Sequence, residues 1–205
     1  MLCIHVGERT RQQQSLWTVC DTLIGALEQA DVITDPNGCY SFMKEIVSLQ
    51  EVAHGDYFIL AVLGSIPQEA VDNKYGIHSE ADLRQRFKKV KQVCKQVALI
   101  PETGGGLGTY ALSYLHSMLT FDLWHHVNSK KNPVDMDTFE LIQTADALLK
   151  QGNMEGAVRL INYLQGEPRR VAQDWLRDAQ LYLETKQAIS LVQNYMASIS
   201  LSIIH

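Results

Sequence analysis

Few groupings in this chain have the residue types for chemistry, and each fails on spacing. His125 and His126 are adjacent, so on a helix they point about 100° apart and make poor co-ligands. No HExxH occurs, and His116 lies too far along to join them. Cys3, Cys20, Cys39 and Cys94 are scattered without a CxxC, which reads as free thiols rather than a zinc set or a disulfide framework. The run Pro101-Glu-Thr-Gly-Gly-Gly-Leu-Gly108 has the look of a phosphate-cradling loop. No GK[ST] follows it and no strand precedes it, so it reads as a flexible joint between helices. There is no GxSxG, P-loop or paired-carboxylate pattern, and Asp146 and Glu155 read as solvated helix positions. No catalytic residue, metal ligand or cofactor is expected.

One stretch carries a different kind of chemistry. Ser79 to Ile100 predicts a helix that Ser79 can cap, with Asp82 where a capping-box acid would stand. Leu83, Phe87, Val90, Cys94 and Val97 form its apolar stripe. Arg84, Lys88, Lys91 and Lys95 fall within about 60° of one another on the helical wheel. Arg86 and Lys89 extend the positive surface, and the acids Glu80 and Asp82 stand only in the first turn. A basic amphipathic helix of this pattern suits an anionic lipid surface or an acidic partner. A plain solvated face is the simpler alternative.

The setting of that helix is acidic. The chain has 205 residues, 46% hydrophobic and 20% charged, with a net charge of −5 and a pI near 5.8. These values describe an ordinary folded chain and exclude a generic nucleic-acid binder. The most apolar run, Tyr57 to Ile66, is about half the length needed to span a bilayer, and MLCIHVGERT lacks a signal peptide's apolar core.

The elements around it all read as helices. Glu8 to Ala30 keeps heptad-like spacing at Leu16, Cys20, Leu23 and Leu27, and Asp35-Pro36-Asn37-Gly38 marks a turn. Helices follow over Ser41–Ala53 and Asp56–Ser65, and the pattern then breaks at Ile66-Pro67 and around Gly76. Beyond the basic helix comes an apolar one over Leu107–Val127, and then a capping box at Asp137-Thr-Phe-Glu140. That box opens a helix to Gln151, and a short partner over Met154–Gln165 completes an αα-hairpin. From Gly166 onward Val171, Trp175, Ala179, Tyr182, Ile189, Val192, Met196, Ile199 and Ile203 mark one face of a long helix, interrupted at Thr185 and Lys186. No alternating strand is visible. The expectation is an all-α helical bundle with a basic amphipathic helix and a long C-terminal helix. Its regions are 1–78 (the end of a coiled coil), 79–128 (amphipathic helices) and 129–205 (a helical core).

Four of these stretches resemble the mitofilin family, the large crista-junction subunit of the mitochondrial MICOS complex. They are YGIHSEADLRQRFKKVKQVCKQVALI from Tyr75, LGTYALSYLHSMLTF from Leu107, GNMEGAVRLINYLQ from Gly152 and GEPRRVAQDWLRDAQLYLETKQAISLV from Gly166. They stand in the family's order. The family's targeting sequence, transmembrane helix and long coiled coil have no counterpart here, which suits a C-terminal fragment, a truncated gene model or a soluble paralogue. The resemblance implies a non-enzymatic scaffold of the mitochondrial inner membrane, on its intermembrane-space side, that maintains crista junctions. It implies anionic-lipid binding, cardiolipin for example, through Arg84, Arg86, Phe87, Lys88, Lys91 and Lys95, with Arg86 and Phe87 matching the family's Arg-Phe pair. It also implies a homo-oligomer, a dimer, and docking of a CHCH-domain MICOS subunit. Arg169, Arg170, Asp174 and Trp175 match the terminal signature; Trp175, Tyr182, Ile189, Val192 and Met196 are expected as core or interface, and Arg170 with Asp174 as an i,i+4 pair. The alternative is a tetratricopeptide-like adaptor, since the αα-hairpin resembles one such repeat; only one is visible where at least three are needed.

Overall fold

The computed structural model describes residues 11, 14–22, 24–25, 39–40, 43–53, 56–71, 76–98 and 132–202. The Asp35–Gly38 turn, the glycine-rich joint, the helix expected over Leu107–Val127, the paired histidines and Ile203 lie outside these residues. The described chain is all-α. In order it comprises α1 (within 14–22), β1 (Cys39–Tyr40), α2 (Met43–Ala53), α3 (Tyr57–Gly64), α4 (Gln68–Val71), β2 (Ile77–His78) and α5 (Glu80–Val97). A 3-10 turn (Pro133–Asp135), α6 (Thr138–Lys150), α7 (Met154–Ile161) and α8 (Gly166–Ser202) follow. The chain forms two compact units, one of Met1–Asp82 with Leu181–His205 and one of Leu83–Gln180.

In the first unit α2 packs on α3. Its core takes in Leu16, Cys20, Ile46, Leu49, Ile59 and Leu63 together with Ile189, Val192 and Met196 from α8. Asp56 starts α3 by accepting from the backbone N–H of Phe58 and Ile59 at 3.0 and 3.3 Å. Its second oxygen accepts from Tyr195 at 3.2 Å, and the Phe58 and Tyr195 rings lie 4.3 Å apart. One capping residue thus starts one helix and ties it to another. Two departures from the sequence reading occur here. Residues 39–40 pair antiparallel with 77–78, with Cys39 opposite His78 and Tyr40 opposite Ile77; two residues are too few for a period-2 pattern to show. Pro67, expected to stop structure, opens α4, its carbonyl accepting from Ala70 at 2.9 Å.

The α8 stripe is continuous through the expected interruption. Thr185 is fully buried because its hydroxyl donates to the Leu181 carbonyl one turn back, at 2.9 Å. Lys186 reaches over the Tyr182 ring with its ammonium 5.6 Å from the centroid.

The second unit is a hairpin and two longer helical segments. The capping box opens α6 as expected: Asp137 accepts from Glu140 N–H at 2.7 Å and Glu140 accepts from Asp137 N–H at 3.2 Å. Gly152 ends the helix at φ +79°, a backbone that L side chains rarely adopt. Asn153 then caps α7, and α7 packs against α6 through Ala157, Leu160 and Ile161. Gly166, at φ +60°, turns the chain into α8. Arg170 pairs with Glu167 at 2.8 Å and not with Asp174; both Arg170 and Asp174 are exposed. An acid placed N-terminal to its base is the favoured orientation on a helix, and Glu167 also sits at the positive end of the dipole.

The largest buried side chain here is Trp175, 1% exposed, with Phe87 4.7 Å away between ring centroids and tilted by 53°. Its indole N–H donates to the Leu83 carbonyl at 2.9 Å. Trp175→Ala should cost about 3–5 kcal/mol, and Trp175→Phe, which keeps an aromatic ring but loses the donor, about 1–2 kcal/mol. Urea unfolding followed by circular dichroism checks both, and equal costs would mean the hydrogen bond contributes nothing.

Candidate functional site

The basic helix α5 begins with Ser79, whose hydroxyl accepts from the Asp82 N–H at 3.2 Å. Asp82 does not complete a capping box; its carboxylate lies 2.8 Å from His78 Nδ1 instead. Glu80, in the same first turn, is buried and accepts from Tyr182 at 2.7 Å, with Lys186 3.7 Å away. Nothing in the sequence points to this triad, because Glu80 and Tyr182 are far apart in the chain.

From Leu83 onward the helix separates its charges into two sets. Arg86 turns toward α8 and pairs with Asp178 at 2.7 Å. Lys91 turns toward α6 and pairs with Asp146 at 2.7 Å, while Lys150 reaches the same carboxylate oxygen at 2.9 Å. Arg84 and Lys88 stand on the exposed side together with Lys89, Gln85, Gln92 and Val93. Lys95 is half-buried near Lys91 and Asp146. Of the six side chains expected to meet lipid, the structure keeps two outermost, engages two in ion pairs, half-buries one and buries one.

The buried one is Phe87. The residues expected to press into a bilayer form the face that packs on Trp175, where Phe87 is 1% exposed. In this arrangement it cannot touch lipid. The stripe of Leu83, Phe87 and Cys94 has found a protein partner, and a helix face buries its apolar area only once. Cys94 closes the stripe, its thiol donating to the Pro168 carbonyl at 3.3 Å. Burial pushes that thiol up to about 12, and burial with neighbouring Asp21 pushes Cys20 to about 11, so both stay protonated.

Asp146 corrects the expectation of a solvated carboxylate. It is 9% exposed and holds two ammonium groups. Its neighbours Leu141, Ile142, Ala145 and Leu149 are the signal that could have found it, since they put position 146 beside the buried stripe. Burial pushes its carboxyl up, but the hydrogen bonds and charges of Lys91 and Lys150 outweigh this and hold it below the usual carboxylate range. Glu155, by contrast, is exposed and pairs with Arg159 at 2.9 Å. Lys95 is held below the usual lysine range by burial and then by the charge of Lys91, with Asp146 opposing. Among the described residues no group of three His, Cys, Asp or Glu could hold a metal ion.

A depressed carboxylate stabilises the fold above its unfolded pKa of about 4, and that stability is lost as pH falls through the lower folded value. Asp146→Asn should therefore cost about 2 kcal/mol at neutral pH, the usual worth of hydrogen bonds to a charged group. The gap to wild type should begin to narrow below about pH 4 and close only as pH falls through the lower folded value, where the wild-type carboxyl is itself protonated. Urea midpoints across that pH range test the sign.

The Mitofilin family, described as "Mitochondrial inner membrane protein", matches residues 5–197. A MICOS complex subunit Mic60 of Drosophila melanogaster is 33% identical over 200 residues, which is 94% of this chain and 27% of that protein. The MICOS complex subunit MIC60 of Coccidioides posadasii is 31% identical over 181 residues, 88% of this chain and 25% of its own length. That of Sordaria macrospora is 33% identical over 153 residues. The chain thus spans about a quarter of the length of these curated relatives. No solved structure matches. Since the family match covers nearly the whole chain, including α5 and most of the α8 stripe that packs on it, the protein belongs to the mitofilin family of mitochondrial inner-membrane proteins.

Proposed function

We propose that this chain is the part of a MICOS-type scaffold that meets the inner membrane and its partner subunits, helping to maintain crista architecture. The observation that supports this most is the exposed side of α5. It carries the exposed Lys88 and Lys89, in a chain whose net charge is negative. The opposite side is fixed to α6 and α8 by Lys91–Asp146, Arg86–Asp178 and Phe87–Trp175. A positive surface on a rigid helix suits anionic headgroups, cardiolipin among them. No described helix is long and apolar enough to cross a membrane, so the contact proposed is peripheral.

Magnitudes shape the proposal. Each basic residue near an anionic surface contributes about 1 kcal/mol, so two give about 2 kcal/mol, a Kd weaker than about 1 mM. One copy alone binds too weakly to shape a membrane. Two copies held together bind usefully, because the second contact is then intramolecular. A dimer is accordingly part of the proposal, as is docking of a CHCH-domain MICOS subunit on the helical core. The relatives are named as MICOS complex subunits, which supports assembly with other members of that complex.

Co-sedimentation with cardiolipin-containing vesicles tests the lipid contact. Replacing Lys88 and Lys89 together by Glu should abolish binding while leaving the melting curve unchanged, and binding of the unaltered chain should fall with salt. Phe87→Asp should lose binding as well, but by unfolding the second unit, so its melt collapses. The reverse pattern, a folded Phe87→Asp chain that cannot bind beside a binding Lys88/Lys89 double variant, would show that apolar insertion carries the contact.

A further inference from the structure

In the first unit, α3 is uncharged on every side. Tyr57 to Gly64 holds no acid or base, and one side of the helix, Ile59, Val62 and Leu63, is buried. The other side is exposed: Tyr57 at 88%, with Phe58, Leu60, Ala61 and Gly64 beside it. A Cβ placed on Gly64 would meet nothing within 4 Å, so the surface there is open. Phe58 carries the apolar surface onto α8 through the Tyr195 ring, and Leu191, one turn back along α8, is exposed as well. A helix that is hydrophobic all round belongs inside a core or against lipid, and here the core takes only one side.

Two observations choose what covers the other side. The first is area. The exposed side chains present a few hundred Å², whereas a stable protein interface takes about 800 Å² from each partner. The second is the shortage of hydrogen-bonding groups. Both Asp56 oxygens are taken, one by the N–H groups of Phe58 and Ile59 and the other by Tyr195. At the far end the Ser65 hydroxyl donates to the Val62 carbonyl at 2.6 Å, and the Ser65 N–H donates to the Ala61 carbonyl at 3.1 Å. Protein interfaces carry about one hydrogen bond per 100–200 Å², and among Tyr57, Phe58, Leu60 and Ala61 only the Tyr57 phenol could make one. A bilayer sets the opposite terms: backbone groups satisfied within the helix, apolar side chains, and an aromatic ring with a polar tip at headgroup level.

We propose that the outer side of α3 is a second, uncharged membrane contact, seated at the boundary between headgroups and acyl chains. Tyr57 and Leu60 enter the boundary, and the Tyr57 phenol stays at the level of the headgroups. The proposal rests on the reading of this chain as a peripheral protein of the inner membrane, the membrane for which its family is described. It differs from the α5 contact in chemistry. The helices before and after α3 expose acids, Glu51 and Glu69, so this contact gains nothing from anionic headgroups. Its ligand is the apolar interior of any fluid bilayer.

Neutral phosphatidylcholine vesicles isolate this contact, because they offer the basic side of α5 no charge. At the lipid concentrations of the cardiolipin test the apolar contact alone is too weak to sediment, so the whole chain is floated with neutral lipid in large excess. The unaltered chain should float with the vesicles, and added salt should not release it. Tyr57→Asp combined with Ala61→Asp, both at exposed positions, should lower partitioning about tenfold or more with the melting curve unchanged. The emission added by Tyr57→Trp should shift to the blue on neutral vesicles and be quenched by lipids brominated on their acyl chains. Should the double variant lower the melt, the quenching decides alone. Failure of the α5 contact appears on anionic vesicles and failure of this one on neutral vesicles, so the two are seen separately. No partitioning onto neutral vesicles, partitioning that the double variant leaves unchanged, or an unquenched added emission overturns the proposal. So does a dimer of the unaltered chain, formed without lipid, that the double variant dissolves, since the face then belongs to a second copy.

Discussion

The second unit depends on the docking of α5 against the start of α8 around Trp175. The indole ring supplies buried area, and its N–H has to find an acceptor once water is excluded. It finds the Leu83 carbonyl, which keeps a second lone pair after the helix ladder has used the first. Phe87, one turn on, lies against the ring, and Arg86 meets Asp178 one turn further along α8. Donor, stack and ion pair all fix the same register between two helices running antiparallel. A slip by one residue would break all three.

That register decides which basic residues are left facing outward. A helix carrying six Lys and Arg residues cannot bury all of its sides against protein unless acids meet them. Asp178 and Asp146 meet two of them, and Lys88 and Lys89 stand on the exposed side. The electrostatic character of that side is thus a by-product of packing: acids of α6 and α8 hold Lys91 and Arg86 in the fold, while Lys88 and Lys89 face outward.

The chain belongs to a family of inner-membrane proteins. An apolar anchor and a core side chain are competing fates for the same phenylalanine, and here the core has it. A membrane contact made by charge alone is weak for one helix and responds to salt and to the number of copies, which suits a scaffold that acts as an assembly. The first unit is held by its Glu80–Tyr182–Lys186 cluster and its Asp56–Tyr195 tie.

The helices, the capping box at Asp137, the turns at Gly152 and Gly166 and the buried face of α8 were legible in the sequence, because each follows from local rules: a period near 3.6, a side chain reaching its own backbone, a residue without a Cβ. So was the family, carried by the run from Gly166 to Val192. What the sequence could not assign was the partner of each side chain. Arg86 and Lys89 look alike along the chain, yet one meets an aspartate on α8 and the other meets solvent. Asp146 reads as a surface acid until Lys91 is brought to it from 55 residues away. Phe87 and its stripe fit a bilayer and a protein core equally well, since the hydrophobic effect is not directional. Only the tertiary structure, by placing Trp175 opposite, decided which of the two receives it.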